Sequence, residues 1–185
     1  ITAHPRFQRI VIRELARLVR QPLRAAASTV TTTWSLRSLA ACSAALRGVA
    51  LDLGKICFDL RLLASGPDAG LAELRLPEVE PGSSIMPGKV NPSVPEAVQM
   101  ACMQVAAHDH AVALAAGAGE LGLNVMTPLV ADNLAGAFEL LTRAVRLLRT
   151  RCLDGLVVDR RRARALVAAS LIEATALSPY LGYDV

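Results

Sequence analysis

Residues 34–67 read WSLRSLAACSAALRGVALDLGKICFDLRLLASGP. Leu39, Leu46, Leu53 and Leu60 recur every seven positions, and Cys42, Val49, Ile56 and Leu63 repeat the same spacing three positions later. Recurrence at seven predicts one long α-helix, packed along a narrow seam at a shallow angle to its neighbours. Ser65-Gly66-Pro67 supplies the stop, with Gly where a helix end favours a left-handed residue. The same logic extends outward. Ile10, Leu15 and Leu18 form a helical stripe within residues 5–20, which Pro22 terminates. The STVTTT run at 28–33 is β-branched and polar, a poor helix starter by itself. Val98, Val105 and Val112 mark a helix from about Val94 to Ala116. Leu134, Leu141 and Leu148, seconded by Phe138 and Val145, mark another from about Pro128 to Arg149. Between these helices lie a Gly/Pro-rich connection at 66–92 and a break at 117–124, and Gly155 marks a further boundary.

Composition agrees with helices. Aromatic residues make up 3% of the 185, and Ala and Leu dominate, which disfavours an all-β core. The expected fold is therefore all-α: a long-helix bundle over 1–150, plus the beginning of a small C-terminal helical domain over 151–185. So much apolar helix surface also implies partner helices and a closed symmetric oligomer. The net charge of +4 is modest and carried mostly by dispersed Arg. With few aromatics to stack bases, no nucleic-acid partner is expected, whereas a small anionic substrate suits the balance. Cys42, Cys57, Cys102 and Cys152 form no C-x-x-C pair and read as free thiols of a reducing compartment. No charge-free apolar run reaches the ~18 residues of a membrane span, so the reading is cytoplasmic, with no membrane partner.

One stretch does not fit a plain connector. Residues 82–96 read GSSIMPGKVNPSVPE. Gly82 and Gly88 provide pivots, Pro87 stiffens the middle, and two hydroxyls, an ammonium and a carboxamide follow within nine residues of one another. Lys89 supplies charge, Asn91 an N–H donor and Ser84 a hydroxyl, a set able to grip a carboxylate. The plainer alternatives are a solvated Lys89 and an Asn91 that caps a helix. Glu96 fits a capping box with Ser93 as well as it fits a site. His108 and His110 are two apart, point away from each other on a helix, and read as a loop or partly buried pair. No metal and no cofactor are assigned.

The stretch resembles the signature G-S-S-x-x-P-x-K-x-N of the fumarase/aspartase superfamily and matches it at every fixed position. LGKICFDLRLLASGPDAGLAELRLPEVEPGSS, GELGLNVMTPLV and CLDGLVVDRRRARALVAASLIEATALSPYLGYD are similar to the family's flanking stretches. Phe58 departs from the usual Asn, and AAHDH at 106–110 replaces a commoner Gly-Asn-Asp turn. The resemblance implies a lyase that breaks a C–N or C–O bond beta to a carboxylate through an aci-carboxylate intermediate. It implies Ser83 as the base on a mobile loop spanning 82–91, Ser84 as a holder of the intermediate, and Lys89 and Asn91 as ligands of the other carboxylate. Glu96 would pair with a histidine that this chain does not contain. It further implies a homotetramer whose active sites draw on three subunits. The chain then reads as a C-terminal-half piece, inactive by itself. NPSVPE, KIC, LNVM and CLDG lean toward aspartate ammonia-lyase. Class II fumarate hydratase and a non-catalytic helical oligomerisation module remain as alternatives.

Overall fold

The computed structural model describes residues 3–182. The first two residues of the expected 1–150 unit and the last three of the 151–185 unit lie outside the described residues. The elements run α1 (Phe7–Val19), α2 (Thr29–Trp34), α3 (Arg37–Leu63), β1 (Leu74–Arg75), α4 (Ser93–Gly117), α5 (Thr127–Arg151), β2 (Val157–Val158), α6 (Arg160–Ala168), α7 (Ile172–Thr175) and α8 (Ser178–Leu181). The molecule is a helical fold, as its periodicities predict.

α3, α4 and α5 carry the architecture. Arg47 meets Asp109 and Arg61 meets Glu96, so numbering rises along α3 as it falls along α4 and the two are antiparallel. α4 lies between its neighbours and packs on both. The core is the seam where the three meet: Ala50, Cys57 and Leu60 from α3, Val98, Cys102 and Val105 from α4, Ala137, Leu141 and Leu148 from α5, closed by Cys152. A second cluster of Leu36, Val112, Ala115 and Val130 fills the far end.

The heptads predicted the helices but named one stripe too many. On α3 the buried line is Ser43, Ala50 and Cys57, flanked by the partly buried Leu46 and Leu53. Cys42, Val49 and Ile56 face outward, with Val49 53% and Ile56 49% exposed. Phe138 and Val145 on α5 face outward likewise. An Ala/Leu-rich helix has apolar residues on several faces, and only the face turned toward α4 and α5 finds a neighbour here.

Local chemistry accounts for the remaining departures. STVTTT does form a helix, because Ser28 Oγ accepts from the Thr31 N–H at 3.2 Å and caps it. α1 ends at Arg20, whose left-handed backbone (φ 53°) returns its N–H to Ala16 O, so the helix stops before Pro22. Asn124, buried in the α4–α5 break, donates from Nδ2 to Ala115 O at 3.0 Å and accepts from the Met126 N–H at 2.9 Å. It thereby bonds a last-turn carbonyl of α4, which also accepts from the Ala118 N–H, and the N-cap N–H of α5.

The 64–92 connection contains a strand that the helical reading missed. β1 and β2 pair antiparallel, Leu74 opposite Val158 and Arg75 opposite Val157. Arg162 extends the junction, donating from Nε to Leu71 O at 2.9 Å and from Nη2 to Gly70 O at 3.0 Å. Asp159 caps α6, and the Arg162 N–H that it accepts, with Arg75 and Arg161 nearby, holds its carboxyl below the usual range. The start of the 151–185 segment is thus stitched to the connection that leads into the Gly82–Asn91 stretch. Among the described residues, no helix is long and apolar enough to cross a membrane.

Candidate active site

The stretch from Gly82 to Asn91 folds back on itself. A Cβ on Gly82 would lie 2.0 Å from the Lys89 carbonyl oxygen, an approach that only glycine permits. Asn91 Nδ2 donates to Gly82 O at 2.9 Å and ties the two limbs together. Gly88 takes a positive φ of 74° and makes the return turn. The two glycines and the carboxamide singled out in the sequence therefore build the loop itself.

Ser83 occupies the bend. Its Oγ accepts from the backbone N–H groups of Ile85 and Met86, both at 3.2 Å. Two N–H dipoles aimed at one hydroxyl oxygen are donors that would favour negative charge on it. Ser83 is half-buried, whereas Ser84, Ile85 and Lys89 are exposed. Among the described residues, Lys89 forms no ion pair, which leaves its ammonium for an anion. Asn91 has committed one amide N–H to Gly82 O and keeps the other. It does not cap α4, since Pro92 holds the N-cap position and no side chain caps there.

Glu96 stands in the first turn of α4, but not in a capping box. Ser93 Oγ is bonded instead to Glu80, on the approach to the loop. Glu96 Oε1 pairs with Arg61 Nη2 at 3.1 Å, across to the last turn of α3. Arg61 Nη1 also donates to Gln99 Oε1 at 2.6 Å, and Gln99 Nε2 donates to Gly54 O at 3.2 Å. Arg61 Nε is buried with no partner among the described residues. Sequence reasoning missed Arg61 because it lies far from the signature in the chain; the only signal was a cation among the apolar residues at the end of α3.

Two other polar groups lie between the helices. Asp109, 7% exposed, pairs with Arg47 Nε at 3.1 Å. It sits four residues after Val105 and three before Val112, a seam position that flags a charge needing a partner. His108 and His110 both lie within α4 rather than in a loop; His108 is partly buried and His110 exposed. Asn133 donates its amide N–H to Leu129 O, so its Oδ1 is the acceptor for His108 Nδ1 at 2.7 Å. The pair joins α4 to α5 and touches none of the loop. A hollow of about 440 Å³ between α4 and α5, floored by Ala97, Ala101, Ala144 and Leu147, contains none of the predicted site residues.

A family described as Lyase matches residues 1–107. Aspartate ammonia-lyase of Pseudomonas fluorescens is 45% identical over 184 residues, covering 100% of this chain and 38% of that protein. Class II fumarate hydratase of Chromobacterium violaceum is 43% identical over 184 residues, again 100% of this chain and 40% of that protein. A crystal structure of fumarate lyase:delta crystallin from Brucella melitensis superposes with a TM-score of 0.93 at 44% identity, over 99% of this chain and 40% of that one. The chain thus spans about two-fifths of the length of the relatives it matches.

Proposed function

The chain belongs to the fumarase/aspartase superfamily of lyases, and from that premise we propose that it supplies the base-bearing loop of an enzyme that converts L-aspartate to fumarate and ammonia. Ser83 is the base. Its Oγ, as the alkoxide, takes a proton from the carbon beside one carboxylate. The electron pair left behind moves into that carboxylate and gives a dianionic aci form. The pair then returns to form the carbon–carbon double bond as the C–N bond breaks and ammonia leaves. The carbon acid is very weak, so the dianion must meet donors already in place and water must be excluded when the loop closes. Ser84 holds the intermediate. Lys89 and the second amide N–H of Asn91 hold the other carboxylate. Glu96 pairs with a histidine from another segment or subunit.

The observation that carries the reading is the pair of N–H groups on Ser83 Oγ. A serine hydroxyl is a poor base unless its anion is stabilised, and a turn that only closes a loop has no need for an exposed lysine beside it. The outward apolar stripes of α3 and α5 support a homotetramer, in which subunits complete one another's sites. The two parts of the chain, 1–150 and 151–185, are then the end of a central helix bundle and the start of a small C-terminal domain. We place the enzyme in the cytoplasm.

Class II fumarate hydratase is the second reading, favoured by a relative almost equally similar. It uses the same loop chemistry with a C–O bond in place of C–N. Assays of the assembled enzyme with L-aspartate and with L-malate separate the two. Ammonia release from aspartate supports the first, and interconversion of malate and fumarate supports the second. Silence with both substrates returns the chain to a helical oligomerisation module.

A further inference from the structure

Among the described residues, Arg61 makes no hydrogen bond or ion pair to the Gly82–Asn91 loop; its two terminal nitrogens both engage the first turns of α4. Nη2 goes to Glu96 Oε1 and Nη1 to Gln99 Oε1, at 3.1 and 2.6 Å. Gln99 returns a hydrogen bond to Gly54 O, one face of α3 below Arg61. We propose that Arg61 is a positioning residue that fixes the Glu96 carboxylate by one oxygen, leaving Oε2 for its functional partner. The inference rests on the assignment of Glu96 made above.

Stability alone is a weak account of this arrangement. Arg61 and Glu96 side chains are 38% and 40% exposed, and ion pairs so accessible to water contribute little to folding. What the circuit does is fix geometry. A planar guanidinium hydrogen-bonded through Nη1 to an anchored glutamine, with Nη2 in an ion pair with Glu96, has one favoured orientation. The ion pair biases the terminal torsion of the Glu96 carboxylate toward one setting. Among the described residues, Glu96 Oε2 accepts no hydrogen bond. The same fork pins the first turn of α4, and so the C-terminal end of the loop, to α3. Lysine carries the same charge but cannot span both acceptors in one plane.

The test is made in the assembled lyase. Arg61→Lys and Arg61→Gln are expected to lower kcat about ten- to hundredfold with KM little changed, as for a misplaced catalytic group. Arg61→Gln combined with Glu96→Gln is expected to be no slower than Glu96→Gln alone. Multiplying losses, or wild-type kcat in Arg61→Lys, overturns the proposal. Should Arg61→Gln fail to fold, Arg61→Lys and Gln99→Leu carry the test, each read for the same coupling to Glu96→Gln. Ser83→Ala, run in parallel, separates the two claims. If Ser83→Ala is inactive while the Arg61 variants are normal, the positioning role alone fails. If Ser83→Ala is fully active, the site reading fails and the Arg61 role with it.

Discussion

The Cβ that Gly82 lacks would stand 2.0 Å from the carbonyl oxygen of Lys89, well inside van der Waals contact. The approach brings the serine limb of the loop against the lysine limb, and the Asn91 side chain locks it by bonding Gly82 O. Any side chain at this position forces the two limbs apart.

Gly82→Ala in the assembled lyase is therefore expected to reduce turnover by about a hundredfold, the usual effect of displacing a reacting group by an ångström. Folding should lose a comparable amount, roughly 1–3 kcal/mol, because the strain is confined to one loop. Steady-state kinetics beside urea titration check both. Wild-type turnover in this variant would mean that the limbs need not touch.

The thiols give a pH prediction. Burial, with Cys102 and Cys152 alongside, pushes Cys57 up to about 11 from an ordinary 9.0, and burial raises Cys102 and Cys152 as well. A folded-state value above the unfolded one favours the native state while the thiols stay protonated. That contribution is fully present below pH 9.0 and is lost as pH rises from there toward about 11. The urea midpoint should fall across this window, and less steeply in Cys57→Ala. A thiol reagent should modify the exposed Cys42 first and the other three only on unfolding.

The outward stripe of α3 gives a third prediction. Val49 and Ile56 are about half exposed, one heptad apart, on a face that no other described element covers. Sedimentation of the chain should find an oligomer. Val49→Glu with Ile56→Glu should dissociate it while leaving helical circular dichroism unchanged. A monomeric wild-type chain would contradict the assembly proposed here.

These outcomes bear on what the sequence could disclose. Long helices were legible because Leu46, Leu53 and Leu60, or Val98, Val105 and Val112, repeat a period over several turns, and turns at Gly66 and Gly88 declare themselves in composition. The choice of buried stripe was not legible. Ser43 and Cys57 are less apolar than Val49 and Ile56, yet they lie inside, because neighbours and not side-chain type decide which face is covered. A strand of two residues such as Leu74–Arg75 has no periodicity to read. The loop signature singled out Ser83, Lys89 and Asn91 as candidates, but the two N–H donors on Ser83 belong to backbone and leave no trace in residue types. Ser93 and Glu96 met the spacing of a capping box, and stronger partners outside the helix, Glu80 and Arg61, took both side chains.

The central claim is that Ser83 Oγ, as the alkoxide, removes the proton, and one substitution addresses it. Ser83→Ala deletes the oxygen that Ile85 and Met86 support and little else. In the assembled lyase, with L-aspartate and with L-malate as substrates and fumarate absorbance as the readout, turnover should fall by about a thousandfold or more while melting temperature and oligomeric state hold. Turnover within about tenfold of wild type on either substrate would assign the base to another residue and contradict the account.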